Sequence, residues 1–146
     1  MAVTLDTSAL IALVEAFERK DHPLADHLAA WHRDKVDVFT ASPAWCEFWR
    51  GRGSNDHYNA LLRKRVRVLD VDQKDAEVAA DALRDAFGRG DTSAVAHIVD
   101  ALVMAVADRR HAAVYTADRG DFERLWDRFL GVKSLVTTAG AVVRRR

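Results

Sequence analysis

The stretch AVAHIVDALVMAVA, residues 94–107, decides much of the fold, and its only polar side chains are His97 and Asp100. We predict a single helix that is buried on all sides, because a helix without a polar face belongs in a protein interior. His97 and Asp100 are three residues apart and therefore share one face of that helix. A carboxylate in such surroundings needs a cation, a metal ion or several hydrogen-bond donors. Asp100 is therefore the first candidate site residue.

Composition indicates an ordinary globular domain. Apolar residues make up 49% of the chain and charged residues 30%, while 22 Lys and Arg balance 22 Asp and Glu. This even balance does not by itself indicate nucleic-acid binding, although charge can be segregated locally. The single cysteine, Cys46, cannot form an internal disulfide, which is typical of a reducing compartment. With no leader-like segment and no apolar run near the ~18 residues of a membrane span, we expect a cytoplasmic protein without membrane contact.

Short apolar runs alternate with amphipathic segments along the chain. We predict strands at residues 3–5, 36–40, 66–69, 112–115 and 132–135. We predict helices at residues 9–17, 21–33, 44–51, 58–64, 73–87, 94–107 and 122–129. Strands that alternate with helices predict an α/β fold, with an open, mostly parallel sheet and helices on both of its faces.

Acidic residues follow three of these strands. Asp6 comes directly after the first strand, Asp118 follows the fourth, and Glu47 lies in the first turns of the helix after the second. Open α/β sheets bind ligands beyond the carboxyl ends of their strands. With Asp100, the pattern predicts a set of four acids contributed by four distant segments.

Such a set of acids points to metal chemistry. Carboxylates brought together repel one another, and their pKa values rise unless a cation lies among them. Mg²⁺ and Mn²⁺ prefer oxygen ligands and keep several waters, which leaves room for a phosphate. A metal held in this way can activate water and stabilise the leaving oxygen of a phosphodiester. The hydroxyls of Thr7, Ser8 and Thr116 are candidates to hold a ligand, a water or a phosphate oxygen.

Each acid also has a purely structural interpretation. Asp6 could cap the helix that follows it, and Glu47 could pair with the arginine three residues later. Asp100 could cap a helix that restarts after it, and Asp118 could form an Asx turn. Asp121 is better explained as the cap of the last helix. We favour a shared site for the other four, because chance caps need not converge on one edge of a sheet.

Three segments carry a family resemblance: VTLDTSALIAL at residues 3–13, SPAWCEFWRG at 42–51, and IVDALVMAVADRRHAAVYTADRGDFERL at 98–125. Through them the chain resembles the PIN domain and, within it, the VapC-type ribonuclease toxins of bacterial toxin–antitoxin pairs. The resemblance covers nearly the whole length. The opening acid and hydroxyl pair occurs in several α/β families, whereas DALxxAxA followed by TxDxxDF is specific.

The resemblance implies a three-layer α/β/α sandwich in one PIN-like domain, residues 1–146, and an endoribonuclease that depends on Mg²⁺ or Mn²⁺. The catalytic acids, which also bind the metal, are then Asp6, Glu47, Asp100 and Asp118. Secondary roles are implied for Asp121, Thr7, Ser8 and Thr116. His97 departs from the family pattern, since some relatives have a further acid there. That change reduces the number of metals or places an imidazole beside the phosphate, but we favour an ordinary supporting or capping role for His97.

The resemblance also implies protein partners. These are a VapB-like antitoxin, which often presents an arginine to the acidic pocket, and a second copy of the chain in a homodimer. An arginine is well suited to carboxylates because its fork matches their geometry. Trp31, Trp45 and Trp49 are candidates for either surface, although Trp45 is better explained as part of the core.

An RNA substrate requires positive charge around the acids. The candidates are Arg50, Arg52, Arg63, Lys64, Arg65, Arg67, Arg119 and the tail at residues 144–146. Trp49, beside Arg50 and Arg52, is placed to stack on an unpaired base. Charged runs are more often a solvated surface, so these assignments depend on where the fold places them.

Other functions are compatible with parts of the pattern. A haloacid-dehalogenase-type phosphatase would need a second acid at the position of Ser8, so this function is excluded. A catalytically silent PIN-like binding module stays open as an alternative. So does a nuclease without a toxin role that acts on DNA or on structured RNA.

Overall fold

A computed structural model of the chain describes residues 1–51 and 58–144. In these residues a six-stranded sheet has the strand order β3-β2-β1-β4-β5-β6, and helices cover both faces to give the predicted three-layer sandwich. The strands are β1 (Ala2–Leu5), β2 (Asp37–Ala41), β3 (Arg67–Leu69), β4 (Ala113–Thr116), β5 (Ser134–Thr137) and β6 (Val142–Arg144). The first five strands are parallel, and β6 is antiparallel to β5.

Seven α-helices connect the strands within the described ranges. They are α1 (Thr7–Glu18), α2 (Pro23–Arg33), α3 (Ser42–Arg50), α4 (Tyr58–Arg65), α5 (Gln73–Phe87), α6 (Ile98–Arg109) and α7 (Arg119–Leu125). Two short 3₁₀ helices lie at Thr92–His97 and Trp126–Arg128. Local sequence sets several boundaries: Asp72 and Asp75 form a reciprocal capping box at the start of α5, and Gly88 follows its last residue. None of the described helices has the length and apolar character that crossing a bilayer requires.

The sheet separates two hydrophobic cores. In β2, Phe39 packs among side chains that include Val103 and Met104 of α6, whereas Val38 packs on the other side with Leu10 and Leu13 of α1. Successive side chains of a strand point to opposite faces, so a strand buried on both sides contributes to both cores. The acids that follow β1 and β4 are thereby held at one edge of a rigid, fully covered sheet.

The prediction of one wholly buried helix over residues 94–107 is wrong. A 3₁₀ helix ends at His97 and α6 begins at Ile98, while Val95 is 65% exposed and Ile98 is 42% exposed. The cause lies upstream, where Asp91 accepts hydrogen bonds from the backbone and hydroxyl of Ser93 and starts a separate short element. The apolar pattern therefore predicts burial correctly only for the second half of the stretch.

The carboxyl-terminal part of the chain departs from prediction in two ways. The last helix begins at Arg119, so Asp121 lies in its first turn and is not its cap. The helix starts early because the amide of Asp118 is bound to the Thr116 hydroxyl, which turns the chain directly after β4. The second difference is the edge strand β6, which we did not predict from a tail rich in arginine.

Trp31 was a candidate for a protein-binding surface, and this prediction is wrong. Trp31 is 5% exposed, and its ring meets that of Tyr115 edge to face, with 4.9 Å between ring centroids. Trp45 is half-buried against the same core, and its ring contacts Phe48 and Trp49. Trp31 therefore stabilises the packing of α2 on the sheet.

We expect Gly131→Ala to lower the free energy of unfolding by about 2 kcal/mol. A Cβ at residue 131 would overlap the backbone carbonyl of Asp108, and the Gly131 amide also donates to the Asp108 carboxylate. Urea denaturation measures the effect. Gly120→Ala is the control, because a Cβ there has no neighbour within 4 Å among the described residues. Equal stabilities of the two variants would contradict the prediction.

Candidate metal centre

The site begins where two adjacent strands end. Strands β1 and β4 are paired with Leu5 opposite Tyr115, and the amide of Asp6 donates to the Tyr115 carbonyl at 3.2 Å. The loops that follow these strands therefore meet, although they are more than 100 residues apart in sequence. Asp6 comes from the first loop and Asp118 from the second.

The carboxylate of Asp6 is fixed by three donors. Its Oδ1 accepts hydrogen bonds from the Ser8 hydroxyl and the Ala9 amide, both at 2.7 Å, and its Oδ2 accepts one from the Thr116 hydroxyl at 2.6 Å. Asp6 does cap α1, but it is also only 4% exposed. Burial raises the pKa of Asp6 to about 6 even though the three donors lower it, and the charge of Asp118 raises it further. An ordinary surface cap has no such pKa shift.

The predicted hydroxyls join the strand ends to each other. The Ser8 hydroxyl accepts a hydrogen bond from the Ala117 amide at 2.9 Å, and the Thr116 hydroxyl accepts one from the Asp118 amide at 2.9 Å. The Thr7 hydroxyl donates to the carboxylate of Glu47. The bonds of Ser8 and Thr116 hold the loops after β1 and β4 together, and the bond of Thr7 links α1 to α3, so all three hydroxyls have a positioning role. Direct contact of these hydroxyls with a metal or a phosphate stays a prediction.

A second group of side chains comes from α6, from the 3₁₀ helix before it and from α7. The Nδ1 atom of His97 lies 3.6 Å from Oδ2 of Asp100 and 4.0 Å from Oδ2 of Asp121. One potential ligand atom of each of these three residues lies within 4.8 Å of the other two. In the described part of the chain, this is the one group of three or more such side chains close enough to share an ion.

Electrostatic coupling joins the two groups into what we call the acidic cluster, namely Asp6, Asp100, Asp118 and Asp121. Burial raises the pKa of Asp100 to about 6, the charges of Asp6 and Asp121 add to this effect, and His97 opposes it. The pKa of Asp118 is raised mainly by its hydrogen bond to Asp121. Desolvation and the charge of Asp121 make smaller contributions in the same direction. Each acid therefore makes ionisation of a neighbour less favourable, as expected for carboxylates that lack a counter-cation.

Glu47 and Asp121 differ most from their predicted ranks. Glu47 is exposed on α3, lies outside the group that can share an ion, and is not among the main influences on the pKa values of the cluster. Its catalytic role stays a prediction that rests on its contact with Thr7. Asp121, which was predicted to have a secondary role and to cap the last helix, lies within the group that can share an ion. The sequence feature that could have placed Asp121 in the site is its spacing from Asp118, because residues three apart at the start of a helix share a face.

Two of the predicted RNA-binding residues are engaged within the protein, and one lies outside the described residues. The guanidinium of Arg63 lies over the ring of Trp49, 4.8 Å from its centroid, and so covers one face that a base would need. Arg119, at the start of α7 beside Asp118, pairs with Glu123 at 3.1 Å. Arg50 is exposed at the end of α3. Arg52 lies outside the described residues.

Other basic candidates lie at the opposite edge of the sheet. Lys64 and Arg65 line a groove of about 390 Å³ beside Val36 and Val38, near the amino end of β2. Arg67, the first residue of β3, pairs with Asp37 at 2.6 Å. Because the acids lie at the carboxyl ends of the same parallel strands, these three residues do not surround the acidic cluster. The last two arginines of the tail, residues 145–146, lie outside the described residues.

The acidic cluster and His97 have the chemistry that a divalent cation requires. Burial and neighbouring carboxylates raise the pKa values of Asp6 and Asp100, and a cation among them would favour their ionised forms. The Nδ1 atom of His97 is buried and makes no hydrogen bond within the described residues. An unpaired imidazole nitrogen that faces two carboxylates is a typical arrangement of metal ligands.

A parallel α/β sheet with an acidic cluster at its carboxyl edge defines a class of proteins able to hold a divalent ion there. Within this class the chain belongs to the PIN domain family, whose model matches residues 3–126. PIN domains are nucleases, so the chain is a member of a hydrolase family. The match includes all four members of the acidic cluster.

Comparison with solved structures gives the same fold. The chain is similar to VapBC2 from Rickettsia felis bound to a DNA fragment from its promoter, at 14% identity and a TM-score of 0.62, covering 94% of this chain and 98% of the other. DNA-bound VapBC from Salmonella typhimurium gives 17% identity, a TM-score of 0.62 and the same coverages. FitAB bound to the IR36 DNA fragment is 17% identical to this chain, with a TM-score of 0.60. The match covers 95% of this chain and 96% of the other. A comparison with curated proteins gives no match.

Proposed function

We propose that the chain is a metal-dependent endoribonuclease, a single PIN-like domain over residues 1–146 that acts as the toxin of a toxin–antitoxin pair. The observation that carries the proposal is the convergence of four carboxylates and one imidazole at the carboxyl edge of the sheet. Membership of a nuclease family supports the hydrolytic chemistry. Similarity to VapBC complexes supports the toxin role.

The metal ligands would come from the acidic cluster, with Asp100 and Asp121 in the group that can share an ion and Asp6 and Asp118 coupled to it by charge. Mg²⁺ or Mn²⁺ suits this set because carboxylate oxygens predominate. When bound, such an ion lowers the pKa of a coordinated water and neutralises charge on a phosphodiester oxygen. Glu47 is proposed as a further acid at the rim of the site, reached through its bond with Thr7.

The proposed roles of the other side chains differ according to whether each side chain is buried or exposed. Asp6 is buried and held by three hydrogen bonds, so its carboxylate is suited to orient the group that it binds. Asp118 is exposed, so water can reach its carboxylate, which is suited to orient an attacking water by a hydrogen bond. Arg119 follows Asp118 in the chain and is exposed, so its guanidinium is suited to contact a phosphate of the substrate.

The partners follow from the same site. An antitoxin would silence the enzyme by placing a cation, such as an arginine, among the carboxylates that the metal otherwise occupies. The VapBC structures are complexes of this kind of pair, which supports a VapB-like partner. A homodimer and a cytoplasmic location, where RNA substrate is available, are part of the proposal.

We expect the purified protein to cleave single-stranded RNA with Mg²⁺ or Mn²⁺, and EDTA to slow cleavage by at least about 10³-fold. The measurement compares a labelled RNA with a DNA of the same sequence, each with metal and with EDTA. Equal cleavage of DNA would favour a nuclease without RNA specificity. Metal binding without cleavage of either would favour a silent PIN-like module.

The toxin role needs a separate experiment. Induced expression is expected to arrest growth, and co-expression of the neighbouring open reading frame is expected to restore it. The Asp100→Asn variant is the matched control, because it keeps the size of the side chain but removes one charge from the cluster. Growth arrest by this variant equal to that by the wild type would contradict a toxic effect that depends on cleavage.

A further inference from the structure

One face of the His97 ring packs against a neighbouring aromatic ring. The imidazole stacks on Phe87, the last residue of α5, with 4.8 Å between centroids and 14° between planes. The guanidinium of Arg124 from α7 lies over the Phe87 ring, 4.2 Å from its centroid, and helps to hold Phe87. The stacking restricts the imidazole that precedes α6, so less freedom is lost when the ring binds a ligand.

The His97 atom that faces the acidic cluster is near two carboxylates but is not hydrogen-bonded to either. Nδ1 of His97 is buried and makes no hydrogen bond within the described residues, since its carboxylate neighbours are 3.6 Å and 4.0 Å away. Two ligands of one ion with bonds of about 2.1 Å lie about 3 Å apart when adjacent and about 4 Å apart when opposite. The spacing is therefore long for direct hydrogen bonds and suits ligands around a shared cation.

A capping role does not explain this placement. His97 occupies the position before α6, but its side chain makes no capping hydrogen bond there. We propose that Nδ1 of His97 is a ligand, together with Asp100 and Asp121, of the divalent ion, and that this nitrogen shifts the preference of the site from Mg²⁺ towards transition-metal ions such as Mn²⁺. An imidazole favours ions later in the first-row series, whereas Mg²⁺ favours oxygen ligands. The inference rests on the proposed function only in requiring that the acidic cluster binds a divalent ion.

Metal binding by the intact protein tests the inference without an activity measurement. Mn²⁺ is added to metal-free protein, pulsed EPR detects coupling of Mn²⁺ to an imidazole ¹⁴N, and calorimetry gives the Kd values of Mn²⁺ and Mg²⁺. In the wild type we expect the ¹⁴N coupling. In His97→Asn we expect the coupling to be lost and the Kd of Mn²⁺ to rise about tenfold or more, with about a twofold change for Mg²⁺.

Two further variants keep the experiment decisive. His97→Asp retains a ligand at the position and is expected to reduce the preference for Mn²⁺ over Mg²⁺ by about tenfold without loss of binding. His111→Asn is the control, because His111 is exposed and has φ of 52°, a conformation that asparagine tolerates. It is expected to keep both the coupling and the Kd values of the wild type.

The outcomes separate this inference from the proposed function. Mn²⁺ binding without ¹⁴N coupling, or coupling that persists in His97→Asn, would overturn the role of His97 and leave the metal-dependent nuclease intact. Absence of Mn²⁺ and Mg²⁺ binding by the wild type would overturn both.

Discussion

We expect the Asp6→Asn and Asp100→Asn variants to cleave RNA at least about 10³-fold more slowly than the wild type, a loss of about 4 kcal/mol of transition-state stabilisation. Each substitution removes one negative charge from a cluster whose four carboxylates influence one another. Fewer charges hold a divalent ion less tightly, and a displaced ion no longer aligns water with phosphate. The measurement is the rate of RNA cleavage at saturating metal.

Loss of the fold is not expected to explain the loss of activity. An asparagine at residue 6 keeps an oxygen to accept from the Ser8 hydroxyl and the Ala9 amide, so α1 stays capped. Its amide nitrogen can donate to the Thr116 hydroxyl, which reverses one bond and leaves it made. Circular dichroism and urea denaturation of each variant check the fold directly.

Asp34→Asn is the matched control for both substitutions. Asp34 is exposed directly after α2, before the amino end of β2, and pairs with Arg33 at 3.1 Å. The same loss of one carboxylate charge at the opposite edge of the sheet is expected to change the cleavage rate by less than about twofold. Cleavage by Asp6→Asn or Asp100→Asn at the rate of this control would remove those residues from the catalytic site.

The second large effect is on stability as a function of pH. In the metal-free protein we expect the contribution of Asp6 to the free energy of unfolding to fall by about 2 kcal/mol between pH 4 and pH 7.5. Burial raises the pKa of Asp6 from 3.8 to about 6 in the folded state. Between these two values the folded protein binds more protons than the unfolded chain, so stability decreases as the pH rises. The contribution is fully present below pH 3.8 and is lost as the pH rises through about 6.

Comparison of the wild type with Asp6→Asn measures this contribution together with its coupling to Asp100, because the charge of Asp6 also raises the pKa of Asp100. Urea denaturation in EDTA at several pH values is the measurement. The variant is expected to gain about 2 kcal/mol relative to the wild type as the pH rises from 4 to 7.5. A stability difference that does not depend on pH would contradict the raised pKa of Asp6. Asp34→Asn again serves as the control.

Some features of this protein could be predicted from sequence because they depend on near neighbours in the chain. Asp72 predicts the start of α5 and Gly88 its end, since a capping box and a terminal glycine act within a few residues. Alternation of strands and helices predicts the parallel sheet, and the position of Asp6 after β1 predicts the edge at which it lies.

One prediction failed because a local signal was missed: the single helix over residues 94–107 is broken at His97, since a cap a few residues upstream starts a separate 3₁₀ helix. The place of Asp121 depends on distant segments. It joins the acidic cluster because α7 begins directly after β4, whereas Glu47 lies exposed on α3 and its role stays a prediction. The sequence contains both acids and does not say which one faces Asp100.

The sequence alone determined most of the strands and helices and which acids follow the strands, because backbone preference and amphipathic periodicity act over short stretches of chain. The tertiary structure alone decided that Asp6 meets Thr116, 110 residues away, and that His97 is pressed by Phe87 towards two carboxylates. Those contacts depend on β1 lying beside β4 and on α5 and α7 packing near the start of α6. Strand order and helix packing arise from burial summed over the whole chain, and no local pattern encodes that sum.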